Sequence, residues 1–418
     1  MMSSVSTRYA ARSLRRNLRR TLLSVAGIAF GVGVGIMAIG WIRGVETMFV
    51  DASAGGGIGH VRVVPAGWSE SRDVELRLGD WREVLERARA TEGVAVATPR
   101  ARVGGLLGMG TRSAHVQLTG VDATTEQRAL RYVREVGEGR YLRPGERGAI
   151  VLGRTIADRL GAELEDELVV TVVDREGEMQ SALLLVVGIV RTGSRAIDSS
   201  VAQVALEDVE QLSGREGAAE VTILLDDALA IEASRDAIVR AISGSGGDDE
   251  VLTWLEVAPD LSANLAQRSA FMTLAVFIIL VVVLLGVTSA QLTGVLERRK
   301  EFAVLAALGT RTVHLVRIVL TEGLILGLTS GLAALAWAAP LLHEWSTAGL
   351  DLTAMMKSED DAMAFGGVLF DPVFHPDFGA WAVPAALGLS ILATLAASLY
   401  PAWFASRTDP ASALRVDR

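Results

Sequence analysis

The sequence contains no cysteine, and this absence excludes disulfide bonds, thiolate metal ligands and a cysteine nucleophile. Histidine is also scarce, with five residues in the chain, and no two of them have the spacing of a metal site on one helix face. No Gly-x-Ser-x-Gly or Gly-x-x-x-x-Gly-Lys-Ser/Thr motif occurs, so the chain lacks both a nucleophile elbow and a P-loop. We therefore expect no catalytic residue, no metal site and no cofactor in this chain.

The N-terminal segment, here called the head, contains no acidic residue before Glu46, whereas arginine is frequent there. Residues 22–42 carry no charge and, at 1.5 Å per residue, extend about 30 Å, the thickness of a bilayer's hydrocarbon core. This run is longer than a signal-peptide core, and no small-residue cleavage site follows it, so we expect a retained helix. The adjoining membrane segment accounts for the basic head, and we expect no nucleic-acid binding from it.

Three further apolar stretches lie in the last third of the chain. With the first they predict a membrane protein of four transmembrane α-helices, arranged one plus three, with a large α+β extracytoplasmic domain between the first two. The predicted segments are an amphipathic N-terminal segment (1–20), the first span (21–43), the outer domain (44–268), the second span (269–294), a helical connection (295–312), the third span (313–342), an outer loop (343–377), the fourth span (378–400) and a tail (401–418).

Basic residues cluster in the head, the 295–312 connection and the tail. Short basic segments mark the cytoplasmic side, so we expect both termini and the connection to be cytoplasmic. Pro401 is expected to end the fourth span, because proline cannot continue the hydrogen bonds of a helix.

The outer domain alternates β-branched runs with short helical segments, which is typical of an α+β domain. Strands are predicted at residues 61–64, 115–121, 168–173, 182–190 and 221–225. Helices are predicted from a cap at Asp80, and at 153–160, 206–212 and 227–242. The Ser-, Gly- and Asp-rich residues 243–250 predict a flexible loop.

The first span carries Gly27, Gly31 and Gly35 at four-residue spacing, which permits close approach of another helix. Two interpretations stay open, namely packing within the chain and contact with a second subunit.

The connection between the second and third spans has the most specific pattern. A charged run, Glu297-Arg298-Arg299-Lys300-Glu301, precedes Phe302, Leu305 and Leu308 at helical spacing, which predicts a short helix with one apolar stripe. Gly309 suits a left-handed cap at its end. The stripe fits either the lipid headgroup region or a groove on a soluble partner.

Ionisable residues are scarce in the predicted spans. Only Arg317 and Glu322 lie near one, at the start of the third span, where we expect them to be interfacial or paired with each other. A transporter driven by protons or ions places such groups near the midplane, so this pattern argues against one.

Three stretches make the sequence resemble the FtsX-like permeases of ABC transporters, the MacB/LolC/LolE group. They are residues 298–309 followed by Glu322-Gly323, the tail at 400–407 and 409–415, and the head at 15–23. The flanks of the outer domain, at 59–63 and 251–259, are similar to the LolC/LolE side. Two departures are the long 343–377 segment, with Asp351, Glu359, Asp360 and Asp361, and the lack of the fused ATPase found in macrolide exporters.

The resemblance implies a dimeric permease of the cell inner membrane, whose partner ATPase is a dimer that binds ATP and Mg. For the LolC/LolE type it implies extraction of lipoproteins, which pass to a periplasmic carrier protein. It implies ATPase docking by Glu297, Arg298, Arg299, Glu301, Phe302, Leu305, Leu308 and Gly309. Apolar side chains at the outer ends of the first two spans are candidates for substrate or membrane-lipid contact: Met37, Trp41, Met48, Phe49, Phe271 and Met272.

The sequence therefore leaves two functions open. One is a permease that extracts lipoproteins, and the large outer domain favours it. The other is a mechanotransmission subunit that relays ATPase movement to a periplasmic partner, such as a cell-wall hydrolase, without transport. The second permease is either a copy of this chain or a paralogue.

Overall fold

The computed structural model describes residues 18–130, 132–133, 136–227, 230–243, 248–308, 310, 312–352, 364–365, 368–369 and 373–406. The chain divides into two compact units. The helical unit comprises the residues up to Val45, Gln267–Leu350 and the residues from His375 onward. The α/β domain comprises Glu46–Ala266 and Asp351–Phe374.

Helices and strands follow one another along the chain with these bounds. The helices are α1 (Leu18–Gly55), α2 (Trp68–Ser71), α3 (Trp81–Arg89), α4 (Ala123–Ala129), α5 (Arg154–Leu160), α6 (Arg195–Asp198), α7 (Leu206–Ser213), α8 (Ile231–Ile242), α9 (Trp254–Val257), α10 (Pro259–Glu297), α11 (Arg299–Ala307), α12 (Thr312–Ala348) and α13 (Ala382–Ser406). The strands are β1 (Val61–Val64), β2 (Val94–Met109), β3 (Arg112–Val121), β4 (Glu138–Gly139), β5 (Ala149–Gly153), β6 (Glu167–Val173), β7 (Met179–Val190), β8 (Ala202–Ala205), β9 (Glu220–Leu225), β10 (Glu250–Thr253), β11 (Leu350–Asp351), β12 (Ala364–Phe365), β13 (Val368–Leu369) and β14 (Val373–Phe374).

Four of the described helices, α1, α10, α12 and α13, are long and apolar enough to cross a membrane. Each overlaps one of the four predicted spans. The first apolar run ends at Ile42, but α1 continues to Gly55. Similarly, α10 begins at Pro259, well before the predicted second span.

The prediction that Pro401 ends the fourth span is wrong, because α13 continues through it to Ser406. Proline removes one backbone donor, and helices in membrane proteins tolerate this where neighbouring packing holds them. Here Ala402 and Ala405 are buried in the same apolar cluster as Phe302. Side-chain packing therefore sustains the last turn beyond the proline.

The segment 343–377, predicted as a loop, begins as helix, because α12 continues to Ala348. Gly349 ends it with φ +76°, a left-handed conformation that glycine adopts without strain. Several predicted features lie outside the described residues: residues 1–17, 244–247 and 407–418, Gly309, and the acids Glu359, Asp360 and Asp361.

Helices α12 and α13 approach closely along a row of small residues. A Cβ atom built on Gly323 would lie 2.2 Å from the Oγ of Ser398. The Oγ of Ser390 donates a hydrogen bond to the carbonyl oxygen of Gly327 at 2.7 Å. Small residues in such positions let two helix backbones approach, which stabilises a membrane helix pair by van der Waals contact.

Helix α1 packs on α10 and α12 through glycines. A Cβ atom on Gly31 would lie 2.2 Å from the Cγ2 of Val283, and one on Gly33 would lie 2.2 Å from the ring of Trp337. The indole Nε1 of Trp337 donates to the carbonyl oxygen of Ala29 at 3.2 Å. Gly31 and Gly33 of α1 therefore form part of the core of the helical unit.

The α/β domain is built on a ten-stranded sheet in the order β10-β1-β9-β2-β3-β8-β5-β7-β4, with β6 pairing β2 and β7. The β3–β8 and β5–β7 pairs are parallel. The first half of β2 pairs with β9, while residues Gly105 to Gly108 pair with β6. Ala97 of β2 belongs to one apolar cluster, and Ala101 and Leu107 belong to another.

The predicted strands and helices of this domain lie within or overlap observed elements. Alternation in β6 buries Leu168, Val170 and Val172, as period-two patterning requires. The carboxylate of Asp80 accepts from the backbone N–H of Glu83, as expected of a helix cap. Strands β2, β4, β5, β8 and β10 were not predicted.

Candidate coupling site after the second long helix

Helix α11 is a short element between two membrane-length helices. Helix α10 ends at Glu297, α11 occupies Arg299–Ala307, and α12 begins at Thr312. The backbone N–H of Phe302 donates to the carbonyl oxygen of Arg298 at 3.0 Å, so the first turn of α11 starts directly at the break. Helix α11 is therefore connected at one end to α10 and at the other to α12, both of which are much longer.

The side chain of Phe302 anchors α11 to the helical unit. It is 1% exposed and belongs to an apolar cluster drawn from three neighbouring helices. The other buried members are Val295, Leu315, Val319, Ala402 and Ala405. Fully burying a side chain of this size contributes about 1.5–3 kcal/mol.

Arg298 lies at the break between α10 and α11 and is 6% exposed. Its Nη1 donates to the Oε1 of Glu322 on α12 at 2.7 Å, and its Nε lies 3.6 Å from the Oε2 of Glu301. Its guanidinium carbon lies 5.1 Å from the ring centroid of Phe302. The expected pairing of Glu322 with Arg317 is therefore wrong, and Arg317 is exposed.

The structure corrects the docking role expected of Arg298 and Phe302. Both side chains are buried within the chain, because one compensates the charge of Glu322 and the other fills the apolar cluster. They hold α11 in place and present no surface to a partner.

The remaining docking residues lie at other positions of α11 and at its two ends, since Glu297 is the last residue of α10 and Leu308 directly follows α11. Glu297 and Arg299 are exposed, Glu301 is partly exposed and Leu308 is 78% exposed. Val304, which was not selected from the sequence, is 46% exposed. The side chain of Leu305 and the whole of Gly309 lie outside the described residues. We call Glu297, Arg299, Lys300, Val304 and Leu308 the outer face of α11.

The residues expected to contact substrate do not form one group. Phe271 is 64% and Met272 46% exposed, whereas Phe49 is 4% exposed and offers no free surface. Met37, Trp41 and Met48 are half-buried. The role expected of Phe49 is therefore corrected, since its ring is covered within the chain.

The three predicted packing glycines also differ from one another. Gly31 is in contact with Val283 as described, and a Cβ atom on Gly35 would lie 3.5 Å from Leu389. A Cβ atom on Gly27 would meet nothing within 4 Å. Packing within the chain thus accounts for Gly31, and leaves Gly27 on an open surface.

The row of glycines on α12 was missed by the sequence reasoning. Gly323, Gly327 and Gly331 recur every four residues and face α13. This is the same small-residue spacing that was recognised in the first span, so the signal was available.

Within the described residues, no group of three or more histidine, aspartate or glutamate side chains could hold a metal ion. The site consists of a short helix that the buried ring of Phe302 and the Arg298–Glu322 ion pair hold in place. The exposed residues of this helix are partly charged and partly apolar. Four membrane-length helices and a large domain inserted after the first define the class of a multi-span membrane protein.

Comparison with known proteins defines the family. Residues 21–241 match the MacB-like periplasmic core domain, and residues 273–410 match the FtsX-like permease C-terminal domain. The chain belongs to this MacB-like family and is an ABC transporter permease of the LolC/MacB type.

Relatives match along most of the chain. The lipoprotein-releasing system transmembrane protein LolC of Xylella fastidiosa is 25% identical, with 100% of each chain covered. LolC of Neisseria meningitidis serogroup B is 27% identical over 95% of this chain and 94% of that protein. The macrolide export ATP-binding/permease protein MacB of Hyphomonas neptunium is 26% identical over 98% of this chain but only 60% of its own length.

Proposed function

We propose that this chain is the permease subunit that couples ATP hydrolysis by a separate ATPase dimer to movement of its periplasmic domain, and that it extracts lipoproteins from the inner membrane. The observation that carries the proposal is the similarity to LolC proteins over essentially the whole chain. Both termini and α11 lie on the cytoplasmic side in this proposal.

The outer face of α11 is the proposed docking surface for the ATPase. It combines exposed charges at Glu297, Arg299 and Lys300 with exposed apolar groups at Val304 and Leu308. A mixed surface of this kind fits a groove on a soluble protein, where apolar contacts give affinity and charges set orientation.

The mechanism we propose is a rigid-body movement between two states. Closure of the ATPase pushes on α11, and the buried Phe302 and the Arg298–Glu322 pair pass the movement to α12. Helix α13 follows because it packs on α12 along the small-residue row. Helices α1 and α10 extend beyond their apolar runs and carry the movement onward.

A second permease subunit, either a copy or a paralogue, would cover α10. Its most apolar window is 6% buried within the chain, against 39%, 39% and 33% for α1, α12 and α13. Phe271 and Met272 lie at the start of the uncharged part of α10 and are exposed, which supports their proposed contact with acyl chains of the substrate or with membrane lipids.

Reconstitution tests the proposal. The permease pair and its ATPase are placed in proteoliposomes with a fluorescent lipoprotein, and release to a soluble periplasmic carrier is measured with and without ATP. We expect release that requires ATP and is lost when this chain is omitted. Hydrolysis without release, together with an unchanged lipoprotein distribution in depleted cells, would favour the mechanotransmission function.

A further inference from the structure

The α/β domain contains a cavity of about 440 Å³ whose wall is rich in arginine. Side chains that matter here are Arg62, Arg72, Arg100, Arg102, Gln117 and Tyr132. Arg62 and Arg100 are 3% and 2% exposed, so the charge they carry is well removed from bulk water. This cavity plays no part in the coupling site described above.

Three of these arginines share two carboxylates. Arg62 and Arg102 both contact Glu220, at 3.0 Å and 2.9 Å. Arg100 contacts Glu126 at 2.9 Å. Because three cations face two anions, the cluster keeps one uncompensated positive charge.

Hydrogen bonding leaves part of this cluster unsatisfied. The Nε of Arg62 is buried without a hydrogen-bond partner. Burial lowers the pKa of Arg62 to about 9; Glu220 opposes this shift, while Arg102 and Arg100 add to it. The Nε itself has no accessible surface, so the excess positive charge is the feature that a bound anion would compensate.

The same arginines also hold the two chain segments that lead to the long helices. Arg62 donates to the carbonyl oxygens of Gly57 and Ile58, directly after α1. Arg72 donates to the carbonyl oxygens of Glu256 and Val257, directly before α10. The guanidinium groups of Arg62 and Arg72 are thus fixed by backbone contacts at the wall of the cavity.

We propose that this cavity binds a phosphate group carried on a small polar body, of the kind found in a glycerophosphate. Guanidinium groups match phosphate oxygens with paired donors, and excess positive charge excludes a metal cation. The cavity volume lies in the range of small-molecule sites and exceeds what one inorganic phosphate needs. Gln117 and Tyr132 supply further polar groups for hydroxyls of the attached body.

Two sources could supply this chemistry, namely a soluble phosphate ester and the headgroup of an anionic phospholipid. The test uses the full chain in nanodiscs of phosphatidylcholine, in a phosphate-free buffer. Inorganic phosphate and glycerol 3-phosphate are titrated by calorimetry, and sodium chloride at matched ionic strength is the reference. A parallel set of nanodiscs contains phosphatidylglycerol, and bound lipid is measured by native mass spectrometry.

Two variants address the cavity and one serves as the control. Arg102→Gln removes one guanidinium, and Gln117→Glu adds a negative charge at an exposed cavity residue without touching the core. Arg140→Gln removes an arginine of the same domain that pairs with Glu146 and does not line the cavity. We expect each cavity variant to weaken binding about tenfold or more, which is about 1.4 kcal/mol, and the control to bind as the wild type does.

The outcomes separate clearly. Binding of the soluble phosphates with loss in both cavity variants supports the site and a soluble source. Retention of phosphatidylglycerol alone, lost in the same variants, supports the site and a lipid source. No binding of any phosphate compound, equal binding by all variants, or binding of an acidic peptide in place of phosphate would overturn the proposal. None of these results depends on whether the chain releases lipoproteins.

Discussion

Arg298 and Glu322 form a buried ion pair with an Nη1–Oε1 distance of 2.7 Å across 24 positions of the chain. Arg298 precedes α11 and Glu322 lies in α12, so the pair ties the short helix to its longer neighbour. Removing Glu322 would leave the buried Arg298 with only the longer contact to Glu301, at 3.6 Å, so loss of the pair destabilises this part of the chain. The pair is therefore a fixed point of the coupling site.

We expect Glu322→Gln to release α11 from the helical unit and to reduce stimulation of the ATPase. The absence of native cysteine allows a direct measurement. The Ala303→Cys variant replaces a small residue of α11 that is 0% exposed, so it should be hidden from maleimide in the parent background and labelled in the Glu322→Gln background, whereas Leu308→Cys should be labelled in both. Arg317→Gln, on the exposed side of the same helix, is the control and should change neither readout. Equal protection of position 303 in all backgrounds would contradict the role of the pair.

Leu308 and Phe302 should respond differently although both belong to the predicted stripe. Leu308→Glu changes an exposed residue, so we expect loss of ATPase stimulation with normal insertion and thermal stability. Phe302→Ala opens a cavity in a packed cluster and should lower stability by about 3–5 kcal/mol. ATPase assays and thermal unfolding in detergent separate the two effects. Normal stimulation by the Leu308→Glu chain would refute docking at the outer face.

Gly33→Ala should disturb the packing of α1, because the new Cβ atom would lie 2.2 Å from the rigid indole ring of Trp337. Overpacking of this kind costs about 1–3 kcal/mol. Gly27→Ala is the matched control within the chain, since nothing lies within 4 Å of its Cβ position. Thermal unfolding measures the loss of stability in the Gly33→Ala chain relative to Gly27→Ala. If Gly27→Ala leaves stability intact but weakens co-purification of the second permease, Gly27 contacts that subunit.

His60 should make the α/β domain less stable in mild acid. Burial lowers the pKa of His60 to about 4 from the ordinary value of 6.5, and its Nδ1 accepts the backbone N–H of Leu225 at 2.9 Å. Between these two values the unfolded chain binds the proton and the folded chain does not, so the free energy of unfolding falls as the pH falls. From pH 7 to pH 5 this residue contributes a loss of roughly 2 kcal/mol.

The variant His60→Asn isolates the contribution of His60 to the pH dependence of stability. Its side-chain oxygen can accept the same N–H but cannot take up a proton in this range. We expect the difference in unfolding temperature between pH 7 and pH 5 to shrink relative to the parent chain. His115→Asn, at an exposed position of β3, should leave that difference unchanged. A difference that is the same in all three chains would contradict the assignment.

The sequence pattern predicted the spans and several strands because their signals are local. Uncharged length identified the membrane helices, alternation identified β6, and a short, strongly apolar run identified β7. Strand β2 was not predicted, because Pro99, Gly104 and Gly105 give it little strand propensity. Its place is set by pairing with β3, β6 and β9, which is a non-local property.

The coupling site was only partly predictable for a similar reason. Helical spacing identified an apolar stripe on α11, but it could not say which members face the chain's own helices. Two members of the stripe differ in the structure, since Phe302 is buried against neighbouring helices and Leu308 is exposed. Likewise, sequence proximity favoured Arg317 as the partner of Glu322, whereas the fold brings Arg298 there from another helix.

Strand β2 has one more consequence. Its 16 residues serve two apolar clusters, with Ala97 in one and Leu107 in the other. A fragment cut between those clusters would lose an inner strand of its sheet, so neither half should be obtainable alone. Grafting experiments that seek to transplant specificity between relatives must therefore exchange this domain whole, or restrict themselves to its surface loops.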